Sequence, residues 1–259
     1  MNKRLEIPDL ADWTSRNRWI WSLVGVLLLW VVLSAVTSKL TLSSLSGVAI
    51  SGSFLALVAL GQMAVVTSGG GNIDLSIAGV MTLSAYSALI VIGGQDSWLL
   101  PGLLATLALG LAVGAANAAL VIVARIPAII ATLATGYVLA TASLLANRAI
   151  PGFTIAPMLR VVATARVAGV PIMTVVAIIG AILVAFVLNR TAYGRALSAV
   201  GQNKAAARLA GVRVNHVTTA AFLASSTLAA FTGLLLGAYV GGAFLEMGQP
   251  FLQSAEMLI

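Results

Sequence analysis

Long apolar runs separated by short polar segments dominate the chain. Seven of these runs approach the roughly 20 residues that a helix needs to cross the hydrocarbon layer of a membrane. They predict helices at Trp19–Val36, Leu45–Val66, Leu75–Ile92, Leu99–Val123, Ile126–Leu145, Val170–Leu188 and Val217–Val240. The pattern therefore predicts an all-α, polytopic helical membrane protein with about seven spans in this chain.

The composition agrees with that prediction. Of 259 residues, 60% are hydrophobic and 8% are charged, and the mean hydropathy is +1.07. A soluble fold of this length needs much more polar surface to cover its core. The net charge of +7 is attributed to basic residues in loops at the membrane surface and not to a nucleic-acid-binding function. The chain has no cysteine, which excludes disulfides and thiol chemistry.

The N-terminal segment, residues 1–18, is polar and is interpreted as a cytoplasmic tail before a membrane domain at 19–259. The apolar run after it is too long for the core of a signal peptide and is not followed by a small-residue cleavage site. With a cytoplasmic N-terminus, ten basic residues fall on the cytoplasmic side and four on the outer side. The segment 147–169 carries three of those four, and a mis-assigned span would move it across the membrane.

The stretch "TSGGGNIDLSIAG" places one carboxylate, Asp74, between two long uncharged runs. The alternation of spans puts it on the cytoplasmic side, between the second and third helices. Asn72 is predicted to cap the third helix and Asp74 to lie in its first turn, near the positive end of the helix dipole. The alternative is that Asp74, with Ser76, acts at an inner gate or in substrate passage.

Small residues are frequent in the predicted spans, as in "GAANAALVIVA", "ATLATGYVLATA" and "GAILVA". Such residues let helix backbones approach closely in lipid. Their polar members are Asn117, Thr132, Thr135 and Thr141, and these side chains either support tight packing or line a polar path. The spacing alone leaves both interpretations open.

A short helix is predicted in the one long cytoplasmic loop, residues 189–216. In "NKAAARLAG", Asn203 is a good N-cap, the alanines favour helix, and Gly211 is a natural stop. A helix of about two turns is marginal alone in water, so something must hold it.

Two surroundings are considered for this helix. Lys204 and Arg208 share one face, and they interact either with anionic lipid head groups or with a protein groove. In the second case the alanines and Leu209 point into the groove and the basic residues lie at its rim. The defined start and stop favour the protein groove.

The loop "TAYGRALSAVGQNKAAARLAGVRV" closely resembles the coupling segment of permease subunits of ribose-type bacterial sugar ABC importers, in the branched-chain/ribose permease superfamily. "GGGNIDLSIAGVMTLSA" resembles the Gly-Gly-Ile-Asp-Leu-Ser segment of that family, and "IPAIIATLATGYVLATASLLANRAIPGF" resembles a further run. The resemblance extends from about Leu45 to Ala243. Gly71 and Asn72 are an insertion relative to the family. The family has about ten helices, so its C-terminal spans are expected to be lacking here.

The resemblance implies residues that couple the chain to ATPase subunits. These are Gly194, Arg195, Gly201, Asn203, Lys204, Ala206, Ala207, Arg208, Leu209 and Gly211. Candidate residues of a substrate path or inner gate are Asn72, Asp74, Ser76, Asn117, Thr132 and Thr135.

The resemblance also implies partners in a bacterial inner membrane. These are cytoplasmic ATPase subunits that carry ATP and magnesium, a second permease subunit (identical or different), and a periplasmic sugar-binding protein. The chain itself has no Gly-x-x-x-x-Gly-Lys-Ser/Thr loop for ATP. No catalytic residue, metal site or cofactor is therefore expected in it, and a monosaccharide-type solute is expected to pass by alternating access.

Three other functions are weighed against this expectation. An ion-coupled secondary transporter commonly has ionisable residues inside its spans, and only Asp74 lies near one. A membrane enzyme needs facing acid–base groups, whereas the chain has one His and seven acids. The third alternative is a structural subunit that binds an ATPase without lining the pore.

Overall fold

The computed structural model describes residues 14, 17, 19–37, 42–149 and 152–256. Its helices are α1 (Trp19–Thr37), α2 (Leu42–Thr67), α3 (Ile77–Ile92), α4 (Leu99–Ile122), α5 (Ala128–Ala149), α6 (Pro157–Thr164), α7 (Ile172–Arg190), α8 (Ala192–Gln202), α9 (Lys204–Leu209), α10 (Val214–Val240) and α11 (Gln249–Glu256). A 3₁₀ turn covers Asp96–Trp98, and β1 (Arg166–Val167) pairs antiparallel with β2 (Val170–Pro171). The predicted tail lies outside the described residues apart from Thr14 and Asn17.

The all-α membrane class is confirmed. Among the described residues, five helices are long and apolar enough to cross a membrane, and they belong to α2, α4, α5, α7 and α10. Two shorter apolar helices lie in α1 and α3. Each of the seven predicted helices thus has a counterpart, with ends that differ by a few residues.

The chain divides into two compact units, residues 1–47 and 48–259. The first contains α1, an apolar helix that exposes most of its described side chains. In the second unit, α10 is the most buried of the long helices and packs chiefly against α3 and α4.

Close helix contact in the second unit depends on small residues. Gly110 and Gly114 lie on one face of α4 against α10, and a Cβ on Gly114 would come within 2.7 Å of the Leu223 Cα. A side chain at either glycine would force the two backbones apart, as in other small-residue crossings. Tight packing is therefore confirmed for "GAANAALVIVA". "GAILVA" lies in α7, which exposes most of its side chains.

Two non-helical segments, called re-entrant segments below, fold back into the helix bundle near α3. The first, residues 68–76, precedes α3, which at 16 residues is about 24 Å long and shorter than the other spans. The second is Gly241–Gly248, which follows α10. Gly237 of α10 lies beside Leu89, whereas Gly248 lies against the backbone of Ala78. The chain therefore returns about 16 Å along α3 before α11 begins.

The segment 147–169 contains a short helix where it is described. It contains α6, in which Leu159 and Ala163 are buried, and the amide of Met158 donates to Asp96 Oδ1 at 2.9 Å. The loop 189–216 is more structured than predicted, because α8 precedes the expected short helix. Two glycines in α8 lower its helix propensity, while Leu197 and Val200 supply a buried face that holds it.

Candidate functional site

The carboxylate of Asp74 lies inside the bundle. Asp74 is fully buried, and its backbone amide donates to Gln62 Oε1 at 3.3 Å, about one and a half turns before α2 ends. Its side chain reaches Ser225 and Ser226, close to the middle of the 27-residue α10. The prediction that Asp74 lies in the first turn of the third helix is therefore wrong, because that helix begins at Ile77 and the carboxylate reaches into the bundle three residues before it.

Three elements supply the hydrogen bonds to this carboxylate. Oδ1 accepts from the Ser76 amide at 3.0 Å, from Ser76 Oγ at 2.5 Å and weakly from Asn117 Nδ2 at 3.5 Å. Oδ2 accepts from Ser225 Oγ at 2.8 Å and from Ser226 Oγ at 3.3 Å. No basic side chain is among its hydrogen-bond partners in the part of the chain that the structure describes. The buried carboxylate is thus held by neutral donors, which offset the free-energy cost of removing it from water.

The predicted cap of the third helix is wrong. The helix begins at Ile77, after Asp74, and Asn72 Nδ2 donates to Ser68 Oγ at 2.9 Å instead. Because the Asp74 carboxylate already binds the Ser76 amide, this side chain, and not Asn72, satisfies a backbone donor just before the helix.

The other candidate path residues differ in how they contact the segment that holds Asp74. Asn117 Nδ2 donates to Ser76 Oγ at 2.8 Å and therefore belongs to the Asp74 cluster. Thr132 Oγ1 accepts from the Leu75 amide at 3.0 Å and so attaches the re-entrant segment 68–76 to α5. Thr135 donates to Ala131 O of its own helix at 3.0 Å and contributes no bond to the cluster.

Gln62, Ser225 and Ser226 belong to the cluster and were missed by the sequence analysis. Each is a polar residue inside an apolar span, the same signal that marked Asn117 and Thr132. Gln62 Nε2 and Asn117 Oδ1 are buried and have no hydrogen-bond partner among the described residues. The cluster therefore retains hydrogen-bonding capacity that a bound water can use.

The coupling segment is a pair of capped helices. Thr191 Oγ1 accepts from the Gly194 amide at 3.3 Å at the start of α8, and Asn203 Oδ1 accepts from the amides of Ala205 and Ala206 at 3.0 Å at the start of α9. The predicted N-cap and short helix are thus confirmed. Gly211, with φ +82°, follows α9 in the conformation expected of a helix stop.

Two glycines of the stretch "TSGGGNIDLSIAG", Gly69 and Gly70, contact this coupling segment. Gly69, Gly70 and Gly71 all have left-handed φ angles between +67° and +73°. A Cβ on Gly69 would lie 2.7 Å from Gly201 O, and a Cβ on Gly201 would lie 2.1 Å from Thr67 O. The backbone that leads from α2 to Asp74 therefore lies directly on the end of α8.

One face of α9 is open to solvent. Leu209 is 91% exposed, whereas Ala207 is buried against the rest of the unit. The side chain of Lys204 lies over Gly70, and partial burial lowers the pKa of this amine below its ordinary value. On α8, the hydroxyl of Tyr193 donates to Val217 O of α10 at 3.4 Å, and burial raises the pKa of Tyr193 to about 12.

Comparisons with known proteins cover most of the chain. A family model described as the permease component of branched-chain amino acid transport systems matches residues 44–258. The chain is 33% identical over 242 residues to an autoinducer 2 import system permease protein of Enterobacter sp. (strain 638), covering 90% of this chain and 69% of that protein. It is 31% identical over 221 residues to the ribose import permease protein of Escherichia coli (strain K12), covering 83% and 67%. No solved structure matches the chain significantly.

Proposed function

Because the chain belongs to the family of permease components of branched-chain amino acid transport systems, we propose that it is the membrane-spanning permease subunit of an ATP-driven, binding-protein-dependent sugar importer. Two relatives are named as import permeases for ribose and for autoinducer 2, which supports a sugar-type solute. The family consists of transport components and not of enzymes.

The proposed assembly lies in the bacterial inner membrane. It comprises cytoplasmic ATPase subunits with their ATP and magnesium, a second permease subunit, and a periplasmic sugar-binding protein. In this proposal the N-terminus and the loop 189–216 lie in the cytoplasm, where the ATPase subunits bind α9.

The observation that carries the proposal is the direct contact between the coupling segment and the backbone that leads from α2 to Asp74. Leu209 and Arg208 offer an apolar contact with a basic rim on a helix that its own chain leaves partly uncovered. Gly201 of the same segment touches the backbone at Thr67 and Gly69. Movement of α9 by the ATPase therefore shifts the re-entrant segment that holds Asp74, and this shift changes the packing of the helices that the cluster joins.

The experiment is a single charge introduced on the exposed face of α9. Leu209→Glu leaves the packing of this chain intact, since the side chain is 91% exposed, but it places a carboxylate in the proposed contact. We expect the variant to reach the membrane at wild-type levels, to lose co-purifying ATPase activity and to lose sugar uptake.

The matched control is Asn189→Glu, which adds the same charge at an exposed position at the end of α7. This variant should retain both ATPase binding and uptake. Normal uptake by Leu209→Glu would contradict the docking of an ATPase on α9.

A second candidate function is an ion-coupled secondary transporter. The burial of Asp74 inside the bundle, without a basic partner among its hydrogen bonds, favours it, because such carboxylates serve as proton or ion sites in that class. Uptake that follows the ion gradient instead of the ATP supply would identify it.

A further inference from the structure

A cavity of about 490 Å³ lies between α3, α5 and the chain that follows α10. One wall is formed by Ala78, Gly79 and Thr82 of α3, and the opposite wall by the face of α5 that carries Gly136 and Tyr137. Leu245 to Leu252 close the third side. The volume is within the range of about 300–1,000 Å³ that is typical of small-molecule sites.

Non-helical backbone borders this cavity at the depth of the spans. The Gly248 amide donates to Thr82 Oγ1 at 3.4 Å, so the re-entrant segment 241–248 reaches the first turns of α3. Irregular backbone at such depth is stable where it is buried in protein or lines a water-filled space, and broken helices in transporters commonly mark the solute site. Glu246 lies in this segment with a left-handed φ of +64°, an uncommon conformation for a residue with a side chain.

The polar groups of the cavity are neutral apart from one carboxylate. Tyr137, which is 69% exposed, offers a hydroxyl on an aromatic ring, Glu246 a carboxylate, and Gln249 an amide that both donates and accepts. Ser143 lies deeper and is buried, with its hydroxyl donating to Leu139 O at 2.9 Å. None of the lining residues is basic.

These groups fit a neutral solute with several hydroxyls. The carboxylate only accepts hydrogen bonds, which suits hydroxyl donors, while apolar and aromatic surface covers the C–H faces of a sugar ring. An amino acid needs a positive partner for its own carboxylate, and the cavity supplies a negative one instead. We propose that this cavity is a solute-contact site in the translocation path for a neutral, polyhydroxylated molecule, with Tyr137, Glu246 and Gln249 as its specificity-determining residues. This inference rests on the proposed function.

The natural absence of cysteine allows a direct test. Ala140 faces the cavity and is exposed, so Ala140→Cys places a single thiol there in the full chain. The rate of its reaction with a water-soluble maleimide is measured in purified protein in nanodiscs, alone, with D-ribose and with L-leucine. Ala205→Cys on the exposed face of α9 is the control. We expect ribose to slow labelling at 140 severalfold, leucine to leave it unchanged, and neither to affect position 205.

Uptake kinetics of two variants provide the second measurement. Glu246→Gln and Tyr137→Phe should raise KM for sugar uptake severalfold with little change in the maximal rate. Val138→Ala, at an exposed position of α5 outside the cavity, should change neither.

Three results would overturn the proposal. The first is protection of position 140 by leucine in place of ribose. The second is no labelling at position 140 without solute, because this result means that protein fills the cavity. The third is an unchanged KM for sugar uptake in both variants. An unaltered chain that fails to import any sugar, with its ATPase bound, would instead refute the proposed function. The failures of the two proposals are therefore distinguishable.

Discussion

The carboxylate of Asp74 accepts hydrogen bonds from Ser76, from Asn117 of α4 and from two serines of α10. These donors are all neutral. If the carboxylate were removed, the serine donors would lose their acceptor, whereas Asn117 would keep its bond to Ser76 Oγ. An orphaned buried donor costs about 1–3 kcal/mol. Asp74 therefore stabilises the junction of several helices, whatever further role it has in transport.

Substitutions at Asp74 separate its structural role from a transport role. Asp74→Asn keeps one acceptor oxygen and nearly the same shape, and the serine hydroxyls can rotate to meet its amide. We expect its thermal unfolding midpoint to remain near that of the wild type while sugar uptake is lost. Asp74→Ala should lower the midpoint clearly, since several donors lose their partner. Wild-type uptake by Asp74→Asn would show that the residue is structural only.

The sequence identified Asp74 because a lone acid in apolar surroundings is conspicuous. It identified Asn117 and Thr132 as candidates for a weaker reason, their polarity within spans. Gln62, Ser225 and Ser226 carry the same weak signal, and only the fold shows that they meet one carboxylate. A single polar side chain in a span does not reveal which neighbour it faces, because that depends on helix packing.

At the scale of elements, the three-glycine turn allows a controlled test of coupling. Gly69→Ala and Gly71→Ala both place a Cβ on a left-handed backbone, which costs roughly 1–2 kcal/mol. Only at Gly69 would that Cβ meet Gly201 O, at 2.7 Å, whereas nothing lies within 4 Å at Gly71.

We therefore expect both variants to lose stability, Gly69→Ala more than Gly71→Ala because of this additional close contact, and only Gly69→Ala to uncouple ATP hydrolysis from uptake. The ratio of sugar imported to ATP hydrolysed in proteoliposomes measures this. Equal uncoupling in the two variants would show that backbone strain, and not contact with α8, is responsible.

Helix packing gives a second prediction at this scale. Gly110→Ala places a Cβ 2.7 Å from the Thr227 Cα and should lower stability by separating α4 from α10. Gly52→Ala on α2 meets nothing within 4 Å and should be neutral or stabilising by up to about 1 kcal/mol, because alanine has the higher helix propensity. Unfolding midpoints in detergent compare them, and similar losses in both would contradict the packing argument.

Elements differed in how well the sequence predicted them. The long spans were found because an apolar run of fixed length is a sufficient signal. The segments 68–76 and Gly241–Gly248 could not be recognised as re-entrant, since hydropathy gives no depth for a polar, glycine-rich stretch. Helix α8 was missed because its buried face is narrow and two glycines interrupt it.

At the scale of the whole molecule, the class of transporter determines how uptake responds to its energy supply. If ATP drives import, uptake should persist when a protonophore collapses the membrane potential and proton gradient while cellular ATP is maintained. It should stop when ATP is depleted, and it should be absent from cells without this chain. Loss of uptake with the gradient alone would favour the ion-coupled candidate, and undiminished uptake without the chain would favour a structural subunit.

The turn of three left-handed glycines also has a genetic consequence. Any single-base change in a glycine codon gives glycine again, a residue with a Cβ, or a stop. At positions 69 to 71 every coding replacement would therefore place an L-side chain on a mirror-image backbone. Amino-acid substitutions should therefore be rarely tolerated at positions 69 to 71. They should be tolerated more often at Gly52, a helix position where an added Cβ meets nothing within 4 Å.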